Sequence, residues 1–96
     1  MASLRNLKKD INYLTTSIIE ECYAFKYLFP GVDSENILEI ISDSVLMHNQ
    51  LIHKINNPEF EIGNKSIQQY YKNIFKELIT TTDSLLDKLN KLTPEK

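Results

Sequence analysis

The stretch Ser34-Glu35-Asn36-Ile37-Leu38-Glu39-Ile40-Ile41-Ser42-Asp43-Ser44-Val45-Leu46-Met47-His48-Asn49-Gln50-Leu51-Ile52-His53-Lys54-Ile55-Asn56-Asn57 decides the fold. Ile37, Leu38, Ile40, Ile41, Val45, Met47, Leu51, Ile52 and Ile55 recur at the three- and four-residue steps of an amphipathic helix. At about 100° per residue they cover roughly half the circumference, wider than one packing seam. The helix is therefore predicted to meet a neighbour on each shoulder. Leu46 lies opposite the centre of the stripe and His53 also points outward, whereas His48 falls near its middle. That placement predicts one buried, hydrogen-bonded histidine. Asp33 or Ser34 caps the helix, and Glu35 and Glu39 suit its positive end.

The neighbours are the segments before and after it. Upstream, Leu4, Leu7, Ile11, Leu14, Ile18, Phe25 and Leu28 follow a heptad-like seam, with Ser3 as the N-cap. Glu21 falls on that seam, and Cys22 fills the apolar stripe in its place. Pro30-Gly31 ends the segment: proline disfavours the helical region for Phe29, and glycine supplies a turn conformation. Downstream, Asn56 to Asn64 makes a longer connection, with Phe60 and Ile62 folding back over the bundle end. Ser66-Ile67-Gln68-Gln69 has capping-box spacing, with Asn64 as an earlier possible cap. Ile67, Tyr70, Tyr71, Ile74, Phe75, Leu78, Leu85, Leu86, Leu89 and Leu92 then share one face, interrupted at Thr80-Thr81-Thr82. The prediction is an all-α, up-down-up three-helix bundle with helices at about 3–28, 34–57 and 66–92, in one domain spanning 1–96. Long helices with wide apolar faces often complete themselves by association.

Composition supports a globular chain, with 42% hydrophobic and 25% charged residues among 96. Two Gly and three Pro leave little turn material, which favours few long elements. A net charge of −2 gives no general attraction for nucleic acid or anionic membrane. The single cysteine, Cys22, excludes an intramolecular disulfide and a thiolate-rich metal site within one chain. No secretory h-region and no 18-residue apolar run is found, so a cytoplasmic location is expected and a membrane role is not.

Catalytic chemistry finds little support. Two glycines build neither a phosphate-cradling loop nor a dinucleotide fingerprint, and no nucleophile elbow is present. The residues three before His48 and His53 are Val45 and Gln50, so the Glu-x-x-His pairs of a di-metal bundle are missing. His48 and His53, five apart, diverge by roughly 140° and do not share one ion. Cys22 on the apolar stripe reads as an inert buried thiol. No cofactor, metal or catalytic residue is therefore assigned.

Three weaker patterns remain. In an antiparallel bundle Glu21, Ser44 and Thr81, with His48, come to similar levels, forming a mid-bundle polar layer that either sets register or holds a small ligand or metal. Arg5, Lys8 and Lys9 approach Lys54 and Lys65 at one end, the basis for a nucleic-acid accessory reading, although no groove-entering motif accompanies them. Tyr13, Tyr23 and Tyr27 project away from the first helix's seam. With Phe29 and outward Leu46 they form a candidate protein interface.

Leu4-Arg5-Asn6-Leu7-Lys8-Lys9-Asp10-Ile11-Asn12-Tyr13-Leu14, then Glu20-Glu21-Cys22 and Phe29-Pro30-Gly31, resemble a group of small uncharacterised proteins of Bacteroidetes bacteria. The resemblance covers mainly the first third and implies a cytoplasmic, all-helical protein with no assigned site residues. The leading expectation is a non-enzymatic interaction or structural module that self-associates as a homodimer, with a different protein as a possible partner. Ligand or metal binding and nucleic-acid binding are the alternatives.

Overall fold

A computed structural model describes residues 4–57 and 64–93. Three helices run up-down-up, α1 (Leu4–Leu28), α2 (Ser34–Asn56) and α3 (Asn64–Asn90), and each packs on both others. The bundle is elongated, 55 × 21 × 18 Å. No helix among the described residues is long and apolar enough to cross a membrane. Because α3 begins at Asn64, Ser66 lies inside its first turn and not at the N-cap. The cap assigned to Ser3 and the fold-back of Phe60 and Ile62 lie outside the described residues.

Local chemistry fixes the α1–α2 corner. The Phe29 amide donates to Phe25 O at 2.8 Å and the Val32 amide to Phe29 O at 3.0 Å. Lys26 Nζ donates to Pro30 O at 3.0 Å and to Val32 O at 2.6 Å, placing a cation where the α1 carbonyls end. Asp33 is the N-cap of α2, its Oδ1 accepting from the Glu35 amide at 3.0 Å. Gly31 does not take a positive φ, and a Cβ there would meet nothing within 4 Å. Pro30 and Lys26 shape this corner, without the conformational freedom expected of the glycine.

The core is built from the predicted stripes, trimmed at their edges. Leu7, Ile11, Ile18, Cys22 and Phe25 of α1 are buried with Ile37, Ile40, Met47, Leu51 and Ile55 of α2 and Ile74, Leu78, Leu85 and Leu89 of α3. Leu14, Ile41, Ile52, Tyr70, Tyr71, Leu86 and Leu92 pack against its rim. Leu28, Leu38, Val45 and Phe75, all on predicted stripes, are instead 66%, 59%, 42% and 44% exposed.

Polar contacts set the register. His48 Nε2 lies 2.6 Å from Asn12 Oδ1, so α1 and α2 pair residues whose numbers sum to about 60. Lys54 reaches Glu77 at 2.8 Å, and Lys88 lies 3.5 Å from both Glu39 and Asp43, which fixes α3 against α2. By this register α3 ends level with Glu21, so the last turn of α1 has no α3 beside it. That explains the exposure of Leu28. Leu38 and Val45 are exposed because a helix in a three-helix bundle touches only two neighbours, and both side chains lie beyond the α1 contact.

Leu51→Ala is predicted to cost about 2–5 kcal/mol, since Leu51 is wholly buried among all three helices. Leu28→Ala is predicted to change stability by less than about 0.5 kcal/mol. Urea denaturation of the two variants checks both.

Candidate functional site

The expected mid-bundle polar layer is rebuilt with different members. Ser44 is fully buried, but Glu21 is exposed and Thr81 only half-buried. Cys22, four residues after Ile18, takes the inward position and leaves Glu21 turned toward solvent. The register also sets Glu21 beside Glu39, about five residues of rise from Ser44. On α3, Thr82 follows Leu78 by four and turns inward, carrying Thr81 about 100° off the core. The buried polar residues are thus Thr15, Ser44 and Thr82, within about one turn of each other in register.

Two of these three hydroxyls are satisfied within their own helix. Thr15 Oγ1 donates to Ile11 O at 2.7 Å and Ser44 Oγ to Ile41 O at 2.8 Å. Thr82 Oγ1, buried, makes no hydrogen bond. One short hydroxyl without a charged neighbour does not hold a metal. Among the described residues no three His, Cys, Asp or Glu side chains converge on one point.

His48 is not a core residue. It sits half-buried at the rim of the α1–α2 contact, its ring between Asn12 Oδ1 at 2.6 Å and Asn49 Oδ1 at 3.1 Å. Helix α2 buries an arc centred between Ile40 and Ile37, and the ring falls on the α1 edge of that arc. His53 is exposed, as expected.

A groove of about 370 Å³ between the end of α2 and the start of α3 is lined by His53, Lys54, Asn57, Tyr70, Asn73, Ile74 and Glu77. Its polar groups have partners within the groove or beside it. Lys54 pairs with Glu77, Tyr70 Oη donates to Lys54 O at 3.0 Å, and Asn73 Oδ1 accepts from Gln69 Nε2 at 2.9 Å. The Tyr70 bond closes a carbonyl in the last turns of α2, a structural task. The same ion pair draws Lys54 away from Arg5, Lys8 and Lys9, so Glu77 neutralises part of the expected basic end; the Lys65 side chain lies outside the described residues.

Cys22 is wholly buried. Burial, with the Glu21 carboxylate beside it, pushes its thiol above the ordinary value of 9.0. The thiolate is disfavoured, and the residue is a core side chain and not a nucleophile.

The candidate aromatic interface divides over different surfaces. Tyr13, Tyr23 and Tyr27 are 70%, 65% and 84% exposed. Phe29 is half-buried, its ring centroid 4.8 Å from that of Phe25, so it belongs to the corner. Counting about 100° per residue, Tyr13 turns toward the α1–α3 side and Leu46 stands on the outer ridge of α2. Tyr23 has different companions. By the α1–α2 register it stands level with Leu38, and Thr16 stands level with Val45. Tyr23, Leu38 and Val45 point out of the flat side formed by α1 and α2, with Tyr27 beside them. Thr16, Ile19, Ile41, Ser42, Asn12 and Asn49 fill that side. Among the described residues, exposed Glu20 stands at the outer edge of this side, seven residues before Tyr27 and so about 20° from it, while Glu39 and Asp43 face Lys88 on the other side of α2. Leu38 and Val45 read as core from the sequence because their stripe is apolar; only the third helix's position shows which edge stays uncovered.

No protein-family model, curated protein or solved structure matches the chain.

Thr82→Val removes a buried hydroxyl without a partner while keeping shape, and is predicted to raise stability by about 1 kcal/mol in urea denaturation. For Cys22 the raised thiol pKa favours the protonated folded state. Its contribution is complete below the unfolded-state pKa and is lost as pH climbs through the folded one. The unfolding free-energy gap between wild type and Cys22→Ala should therefore hold steady to about pH 8 and narrow above about pH 9.

Proposed function

We propose that the chain is a non-enzymatic helical interaction module that works as a homodimer through its α1–α2 side. One observation carries the reading: Tyr23, Tyr27, Leu38 and Val45 are exposed, and by register and helical rotation they stand on one side of the α1–α2 pair, with Glu20 at its edge. A chain of this size has thin stability to spare, yet it keeps two aromatic and two aliphatic side chains in water on one side. Water-exposed scattered apolar residues are ordinary, whereas a contiguous strip is characteristic of a contact surface. Tyrosine suits that task, combining an apolar ring with a hydroxyl that tolerates water in the free state.

The side also has the size of an interface. From the level of Arg5 to that of Glu35 it is about 30 Å long at 1.5 Å rise per residue, and two helices about 10 Å wide give roughly 600 Å². Stable interfaces begin at about 600 Å² on each partner. An uncharged centre suits a second copy in particular, because a two-fold contact sets each surface against itself and like charges there would repel.

Light scattering across a hundredfold concentration range is predicted to give twice the 11.2 kDa chain mass at tens of micromolar. Leu38→Asp is predicted to leave a folded monomer, with unchanged helical circular dichroism. A monomeric wild type throughout that range would overturn the reading.

A further inference from the structure

The α1–α2 side carries information about orientation as well as stickiness. Its ends are oppositely charged. Beyond Asn12, α1 continues into Lys9, Lys8 and Arg5, of which Arg5 and Lys9 are exposed. Beyond Tyr23 and Leu38, the side ends at the α1–α2 corner with exposed Asp33 and Glu35. Lys26 there is already folded onto Pro30 O and Val32 O. The apolar side chains are also split along the length, Tyr23, Tyr27 and Leu38 near the acidic corner and Val45 nearer the basic end. Ser42, small and exposed, lies midway between Leu38 and Val45.

Resting on the homodimer reading above, we infer that two copies pack these sides antiparallel, about a two-fold axis that crosses the helices at the level of Ser42. That operation lays α1 on α1 and α2 on α2 with reversed directions. Leu38 of each copy meets Val45 of the other, since they lie about 6 and 4.5 Å to either side of the axis at 1.5 Å rise per residue. Tyr23 lands by Thr16 of the second copy, where a short side chain leaves room for the ring. Arg5, Lys8 and Lys9 of each copy come over Asp33 and Glu35 of the other, giving a charged clamp at both ends of an apolar centre. The other two-fold arrangement, with its axis along the bundle, sets α1 of each copy on α2 of the other, with the two bundles pointing the same way. It brings the basic turns of both copies to the same end and their acidic corners to the opposite end. Rim charges of this kind set orientation more than affinity. Here both ends select the antiparallel form.

Position-specific cysteine cross-linking separates the arrangements, and the buried native Cys22 stays silent as the background. Under mild oxidation Ser42→Cys is expected to form an intermolecular disulfide in most of the protein, because the axis brings the two α2 helices together there. A double variant Leu38→Cys, Val45→Cys should do the same. A mixture of Tyr23→Cys and Leu38→Cys chains should form no disulfide between one variant and the other. Cross-linking of that mixture, together with failure of Ser42→Cys to cross-link while light scattering still gives a dimer, overturns the antiparallel geometry and leaves the homodimer standing. A monomeric mass for the uncross-linked protein overturns both. As a second readout, Lys9→Glu should weaken the dimer roughly two- to fivefold at low salt, and adding Glu35→Lys should restore it. Weakening without restoration counts against the clamp.

Discussion

A helix in a three-helix bundle can bury only the arc that faces its two neighbours, and that limit governs the whole molecule. In α2 the arc holds Ile37, Ile40, Ser44, Met47, Leu51 and Ile55. The apolar stripe written into its sequence is wider, so Leu38 and Val45 fall off the edge. Helix α1 adds exposed Tyr23 and Tyr27, which stand outside its apolar stripe. Because α1 and α2 run side by side in a register tied by Asn12 and His48, the surplus of the two helices meets on one side. The third helix covers the opposite shoulders and never reaches it. The exposure of these apolar side chains is thus a product of helix number.

Within the bundle the polar groups do little to attract one helix to another through the core. Thr15 and Ser44 turn their hydroxyls back onto their own backbones, and Thr82 finds no acceptor. The core is held by apolar burial. Specificity comes from the rim. Asn12–His48, Lys54–Glu77, and Lys88 shared by Glu39 and Asp43 are each exposed enough for water to weaken them. Their effect is to choose one register among several of similar packing. The corner adds a second constraint: Lys26 and the Asp33 cap close the ends of two helices with side chains already present, so a short connection suffices.

This division of labour bears on function. The one thiol lies inside. In the proposed homodimer, the α1–α2 side supplies the contact, with basic residues at one end and acidic residues at the other. The groove beside Tyr70 shows the contrast, since its lysine, tyrosine and glutamate already hold the α2 and α3 ends together.

The amino-acid sequence by itself determined the three helices, their order and most of their buried residues. Periodicity of Ile37 to Ile55, the Pro30-Gly31 break and the Asp33 cap are local signals, and local signals survive in a one-dimensional reading. It also identified Tyr13, Tyr23 and Tyr27 as exposed, because they lie far from their own helix's stripe. Only the tertiary structure decided which edge of each stripe is covered, because that depends on where the third helix lies and where it ends. For this reason Leu28, Leu38, Val45 and Phe75 moved outward. His48 shifted to the rim, the inward threonine became Thr82 and not Thr81, and Glu21 turned to solvent. The grouping of Tyr23 with Leu38 and Val45, and its separation from Tyr13, Phe29 and Leu46, required the register between two helices. No stretch of either helix contains that register.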